Sequence, residues 1–274
     1  MMLRIPTYKG DLDLIKALEQ LVRTGFSELF EAVLAHGSVG TNEVIKYSDF
    51  DGLLIVKDEY FGTKKLAEFQ KRSMDLINQF DPLQHHGWFM LKASHLEHLN
   101  PTYLPPEVLE NASVIWPPQD LEFEIQIQSD VDWKKPAATI LQSLDRKLEN
   151  YQAPIGMFNL KSWLSEIMLV PTLIYQAKHK EGIFKRESFA AVEDLYTKEA
   201  WRVINTATEI RAEWEYKLRF PKLFTSLKNR KGLKKMVRRH LAPSIPEELS
   251  TKMPTSFEDD LKRFVEESKK LLAA

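Results

Sequence analysis

The stretch His36-Gly37-Ser38-Val39-Gly40-Thr41-Asn42-Glu43-Val44-Ile45-Lys46-Tyr47-Ser48-Asp49-Phe50-Asp51-Gly52-Leu53-Leu54-Ile55 decides the reading of the N-terminal half. Ahead of it, apolar residues from Leu12 to Phe30 recur at helical spacing, and a short apolar run, Ala32 to Ala35, ends in His36-Gly37-Ser38. This pattern predicts a helix, a buried strand and a turn. After a polar interval, Phe50 and Gly52 to Val56 form a second apolar run rich in branched residues, which predicts another buried strand. A Gly-Ser turn exposes backbone N–H groups and a hydroxyl where no side chain blocks approach, a setting suited to phosphate. Residues two apart on a strand share a face, so Asp49 and Asp51 converge, and two such carboxylates repel unless a cation joins them. Two carboxylates completed by phosphate oxygens and water describe a Mg2+ site, where paired ions can clamp an in-line displacement at an α-phosphate as pyrophosphate leaves. The plainer alternative makes Asp49 a turn residue and Asp51 a solvated edge residue.

Outward from this stretch, Lys64 to Phe80 has helical periodicity, and His85 to Leu91 is expected to be a third strand. Prolines at 101–106 and 117–118 bracket a short segment, after which Leu121 to Gln128 alternates apolar and polar residues as a half-exposed strand does. Beyond Asp132 the periodicity is helical over roughly 133–150, 159–180, 187–216, 223–240 and 256–272. The expectation is therefore an α+β protein: residues 1–130 form a mixed sheet with flanking helices, and residues 131–274 form an all-α helical bundle.

Composition excludes little and directs attention to local features. With 38 basic and 39 acidic residues, the overall charge selects neither nucleic acid nor membrane. The absence of cysteine removes disulfides, thiolate metal sites and thiol nucleophiles. No apolar run reaches the roughly 20 residues needed to cross a bilayer, and the N-terminus lacks a signal-peptide pattern, so a cytoplasmic location is expected.

The combination of Gly37-Ser38, Ser48-Asp49-x-Asp51 and the apolar strand that follows resembles the signature of the DNA polymerase beta nucleotidyltransferase superfamily. The likeness is greatest to its small bacterial and archaeal members and to the antibiotic-modifying adenylyltransferases. The resemblance implies a nucleotidyltransferase domain in which Gly37 and Ser38 hold the nucleotide, while Asp49 and Asp51 are catalytic and bind Mg2+, with an NTP as substrate. It also implies a third carboxylate from a later strand. That place carries His85 and His86 here, so Glu124, with Glu122 beside it on the polar face of the 121–128 strand, is the candidate third acid; a solvated strand face is the alternative. One of the two histidines joining the site as a base or metal ligand is a further alternative. Many relatives have Ala-Arg-Gly where this chain has Gly40-Thr41-Asn42.

Relatives that modify small molecules also resemble this chain in carrying a helical C-terminal domain that contributes to the acceptor site. By that resemblance Lys185, with Arg186, would reach the nucleotide phosphates, against the alternative of a solvated basic loop. Glu166 sits among apolar neighbours and is a candidate base for an acceptor hydroxyl, or else an exposed helix residue. From Lys217 to His240 there are ten Lys or Arg and no Asp or Glu. This segment either receives an acidic or nucleic-acid partner or docks on the acidic C-terminal helix. Three functions follow: transfer of a nucleoside monophosphate to a hydroxyl acceptor, an RNA-directed version of it, or a catalytically weak or inactive fold serving as a binding or antitoxin-like regulatory partner.

Overall fold

The computed structural model describes residues 1–84, 86–149, 154, 156–227, 236–237 and 241–274. The chain divides into two compact units, Met1–Val131 and Asp132–Ala274.

In the first unit, β2 (Phe30–His36) and β3 (Asp51–Val56) pair antiparallel, and their register sets His36 opposite Asp51 and Ala35 opposite Gly52. β5 (Ser113–Trp116) pairs antiparallel with the other edge of β2, while β4 (Phe89–Lys92) runs parallel to β3. The four-stranded sheet is thus mixed, in the order β4-β3-β2-β5. Its two central strands are apolar on both faces because both faces are covered. Val33, Ala35, Leu54 and Val56 face a core built with α1 (Asp13–Gly25) and α3 (Lys64–Phe80). Ala32, Leu34, Leu53 and Ile55 face the opposite layer, which includes Leu3, Ile5, Leu96, Leu99 and Ile125. Thr63 starts α3 by accepting a hydrogen bond from the Leu66 N–H, satisfying one donor of the first turn.

Several expectations shift. A strand unforeseen in the sequence, β1 (Met2–Ile5), pairs antiparallel with β6 (Leu121–Glu124) in a separate two-stranded sheet. The expected 121–128 strand stops at Glu124 because β1 offers only four residues to pair with. The third strand begins at Phe89 rather than residue 85, since the preceding segment is drawn into a loop described below; His85 lies outside the described residues.

The second unit is helical among the described residues. Its elements are α5 (Lys135–Glu149), α6 (Met157–Ile167), α7 (Val170–His179), α8 (Lys185–Val192), α9 (Lys198–Ala212), α10 (Pro221–Leu227), α11 (Glu247–Ser250) and α12 (Phe257–Ala273). The helix expected over 159–180 is two helices because Pro171 sits in the first turn of α7, where its missing N–H costs nothing. The helix expected over 187–216 is also divided: Thr197 caps α9 by accepting from the Ala200 N–H. Glu267 of α12 in turn accepts from both the Thr197 N–H, at 2.9 Å, and its hydroxyl, at 2.7 Å. α9 and α12 join further through Tyr196 stacked on Phe264 at 5.0 Å and hydrogen-bonded to Ser268, and burial pushes the Tyr196 hydroxyl up to about 12. Of the 223–240 helix expectation, residues 228–235 and 238–240 lie outside the described residues. Four of the six tryptophans, Trp88, Trp163, Trp201 and Trp214, are buried, while Trp116 and Trp133 are half-buried.

Candidate active site

The site forms where β2 and β3 end side by side. β2 runs into a single turn, α2 (Gly37–Gly40), entered through Gly37 at φ +62. Only glycine adopts that conformation freely. Space demands it as well, because a Cβ on Gly37 would lie 2.8 Å from Asp51 Oδ2. The polar interval folds back onto the turn. The Ser38 hydroxyl donates to Ser48 Oγ at 2.9 Å, the Ile45 N–H donates to the same oxygen at 3.0 Å, and the Glu43 N–H donates to the Ser38 carbonyl at 2.8 Å. Ser48, directly before Asp49, therefore clasps both ends of the loop. Gly37→Ala is expected to destabilise the protein by about 1–2 kcal/mol through left-handed strain alone. It should also displace the Asp51 carboxylate. Urea unfolding of the variant measures the first effect.

Asp49 and Asp51 are joined by His86, whose Nε2 lies 3.2 Å from Asp49 Oδ2 and 3.2 Å from Asp51 Oδ1. One oxygen of each carboxylate and an imidazole nitrogen fall within 4.8 Å of one another, all three side chains half-buried. Among the described residues no other group of three or more His, Asp or Glu has that compactness. His86 is held by Gln84. The buried Gln84 amide accepts from the Phe50 N–H at 2.9 Å, donates to the Phe50 carbonyl at 2.9 Å, and reaches the His86 carbonyl at 3.2 Å. One side chain thus fixes both the backbone between the two aspartates and the loop bearing the histidine.

The electrostatics separate two histidines. Burial opposes a charge on His86, but the hydrogen bond to Asp49 and the fields of Asp51 and Asp49 outweigh it and push the imidazole up to about 9. His36, at the end of β2, is buried, its Nε2 has no hydrogen-bond partner among the described residues, and burial together with the nearby His86 holds it down at about 4. The stability effects have opposite signs. His86 is raised above its unfolded value, so its contribution is complete below the model-peptide value of about 6.5 and is lost as pH rises toward 9. His36 is depressed, so the unfolded chain binds the extra proton and stability falls as pH drops from about 6.5 toward 4. Chelator-treated protein should therefore be most stable near neutrality. Urea midpoints across pH would test this: His86→Ala should abolish the alkaline limb and, by removing the neighbouring charge that depresses His36, shorten the acid limb as well.

The structure brings together Gly37, Asp49 and Asp51, with Ser38 following in the same turn. It does not bring Glu124 to them: that residue is exposed on β6, opposite Met2, because β6 pairs with β1 rather than with the four-stranded sheet. Glu122 is likewise solvated, 3.9 Å from Arg4. His86 takes the place where a third acid was expected. Lys185 is the first residue of α8 in the second unit and is half-buried. Glu166 is an ion-pair partner, 2.8 Å from Lys147 Nζ and accepting from Ser143 at 3.0 Å, and Lys147 also lies over the Trp163 ring. A carboxylate so paired ties α6 to α5. Three acidic residues of α12 have partners within the second unit: Asp260 meets Arg202 and Ser256, Glu258 meets Lys262, and Glu267 accepts from Thr197 at the start of α9. Gln84, the residue that organises the site, was missed, since a lone glutamine between Leu83 and His85 carries no periodic or motif signal.

Mg2+ fits the two carboxylates but less well the complete donor set, because imidazole nitrogen is a softer ligand than the oxygens Mg2+ prefers. Among the described residues no helix is long and apolar enough to cross a membrane.

No protein-family model matches the chain, and no curated protein matches it. Among solved structures, the chain is similar to spectinomycin adenyltransferase AAD(9) from Enterococcus faecialis, crystallised with ATP and spectinomycin. The identity is 11% and the TM-score 0.41, over 83% of this chain and 98% of that one.

Proposed function

We propose that this protein is a metal-dependent nucleotidyltransferase of the DNA polymerase beta type, moving a nucleoside monophosphate from an NTP to a hydroxyl acceptor and releasing pyrophosphate. The observation that carries the reading is the convergence of Asp49 and Asp51 beside a glycine that leaves no room for a side chain. Asp49 and Asp51 would hold the divalent cation, which supplies neutralisation of the charge developing on the phosphates. Gly37 admits the phosphates close to the backbone, and the N–H groups at the start of the turn have no helical acceptors of their own. Ser38 offers a hydroxyl that exchanges its Ser48 partner for a phosphate oxygen.

Calorimetric titration with ATP, GTP, CTP and UTP, each with Mg2+ and with Mn2+, tests the proposal. Saturable binding of at least one is expected, and binding of none removes the catalytic reading. A non-catalytic regulatory partner is favoured by two features, the threonine at position 41 where the family it resembles often carries arginine, and a histidine, His86, where a third acid is expected. The double variant Asp49→Asn with Asp51→Asn separates the two, abolishing turnover of an enzyme while leaving a partner's binding intact.

A further inference from the structure

We infer that His86 is itself a metal ligand, and that the site consequently prefers a first-row transition cation such as Mn2+, Co2+ or Zn2+ over Mg2+. The inference rests on the same residues as the nucleotidyltransferase reading and adds the identity of the ion. Ligand atoms about 2.1 Å from a common ion, at tetrahedral or octahedral angles to one another, lie roughly 3.0–3.4 Å apart. His86 Nε2 is 3.2 Å from an oxygen of each aspartate, so the nitrogen already has ligand spacing to both. Its ring is oriented as metal-bound histidines are. Nε2 is the nitrogen turned to both carboxylates, while Nδ1 faces the other way, toward Gln84 Nε2 at 3.3 Å and the Gly87 carbonyl at 3.4 Å, so the proton that Nε2 shares with the aspartates is the one an entering cation would displace. The loop is built rather than adventitious, because Gln84 binds the His86 carbonyl and the Phe50 backbone together.

Two carboxylates and an imidazole occupy three positions and leave the rest for water or phosphate oxygens. Imidazole favours transition cations, whereas Mg2+ selects oxygen, and the lack of any cysteine removes the thiolates that would draw softer ions. The simplest rival is that a charged His86 serves only as a counter-ion for the aspartates and swings away when a cation enters.

The test uses chelator-stripped full-length protein without nucleotide. Calorimetry with Mn2+ and with Mg2+ gives the preference, and pulsed EPR of the Mn2+ complex reads nitrogen coordination directly from the 14N modulation. Expected are tighter binding of Mn2+ than of Mg2+, 14N modulation in the wild-type chain, and its loss in His86→Ala with Mn2+ affinity weakened on the order of 10-fold or more. His86→Asp should narrow the Mn2+ over Mg2+ preference. Equal affinities, no Mn2+ binding, or Mn2+ binding without nitrogen modulation would each overturn the inference. The wild-type spectrum decides even if a variant fails to fold. Because nucleotide is absent, loss of the histidine ligand with NTP binding intact retires only this inference, whereas metal binding with no NTP binding retires the transferase.

Discussion

Asp51→Asn is expected to lower nucleotidyl transfer by roughly a thousandfold or more while leaving the fold in place, the scale seen when a group that stabilises developing charge is lost. The substitution keeps shape and removes charge. Without Asp51 the cation loses one of two anionic ligands at the point where the phosphates gain charge, so the loss should fall on turnover more than on nucleotide affinity. Folding should be little affected, because His86 keeps Asp49 as a partner at 3.2 Å and two like charges no longer face each other. Pyrophosphate release, measured with whichever NTP binds, is the readout. Turnover within tenfold of wild type would show that the carboxylate pair is not the catalytic centre.

The second large effect is on stability. Phe69 of α3 is fully buried, with its ring edge-on to Phe26 at 5.4 Å and Phe30 at 4.7 Å, and 5.9 Å from Trp88. Phe69→Ala should cost about 3–5 kcal/mol, the transfer energy of the ring plus the cavity it leaves. The damage should not stay local. Trp88 donates to Ser73 at 2.8 Å and packs edge-on against Phe50 at 5.0 Å, and Phe50 is the residue between the two aspartates. Gly52 makes room for that indole, since a Cβ there would collide with both Trp88 and Phe50. Urea unfolding followed by tryptophan fluorescence measures the cost, and a value under about 1 kcal/mol would mean that the core closes around the gap.

What was legible in the sequence follows from periodicity and from residues with few alternatives. β2 and β3 could be read because both faces are covered, making their apolar runs continuous, and the turn could be read because little but glycine suits it. The Asp49 and Asp51 pair was visible from a spacing of two. What escaped depended on distant partners. β1 is four residues long and is a strand only because β6, more than a hundred residues later, pairs with it. Glu124 was favoured as third acid because alternation gives the face of a strand but not the sheet it joins. His86 was an alternative whose position is set by a buried glutamine amide, and hydrogen bonds between loops leave no periodic trace. Pro171 was readable in principle, and the helix break before it is where a proline in the first turn belongs.

The dry layers on both sides of β2 and β3 have a consequence for how such a protein can diversify. Polar side chains have nowhere to go except the rim where the strands end, and there the residues that set chemistry and partner choice lie in short loops. Exchanging those loops can redirect the choice of substrate while the frame beneath them goes unaltered; a change to the frame is felt at the rim immediately.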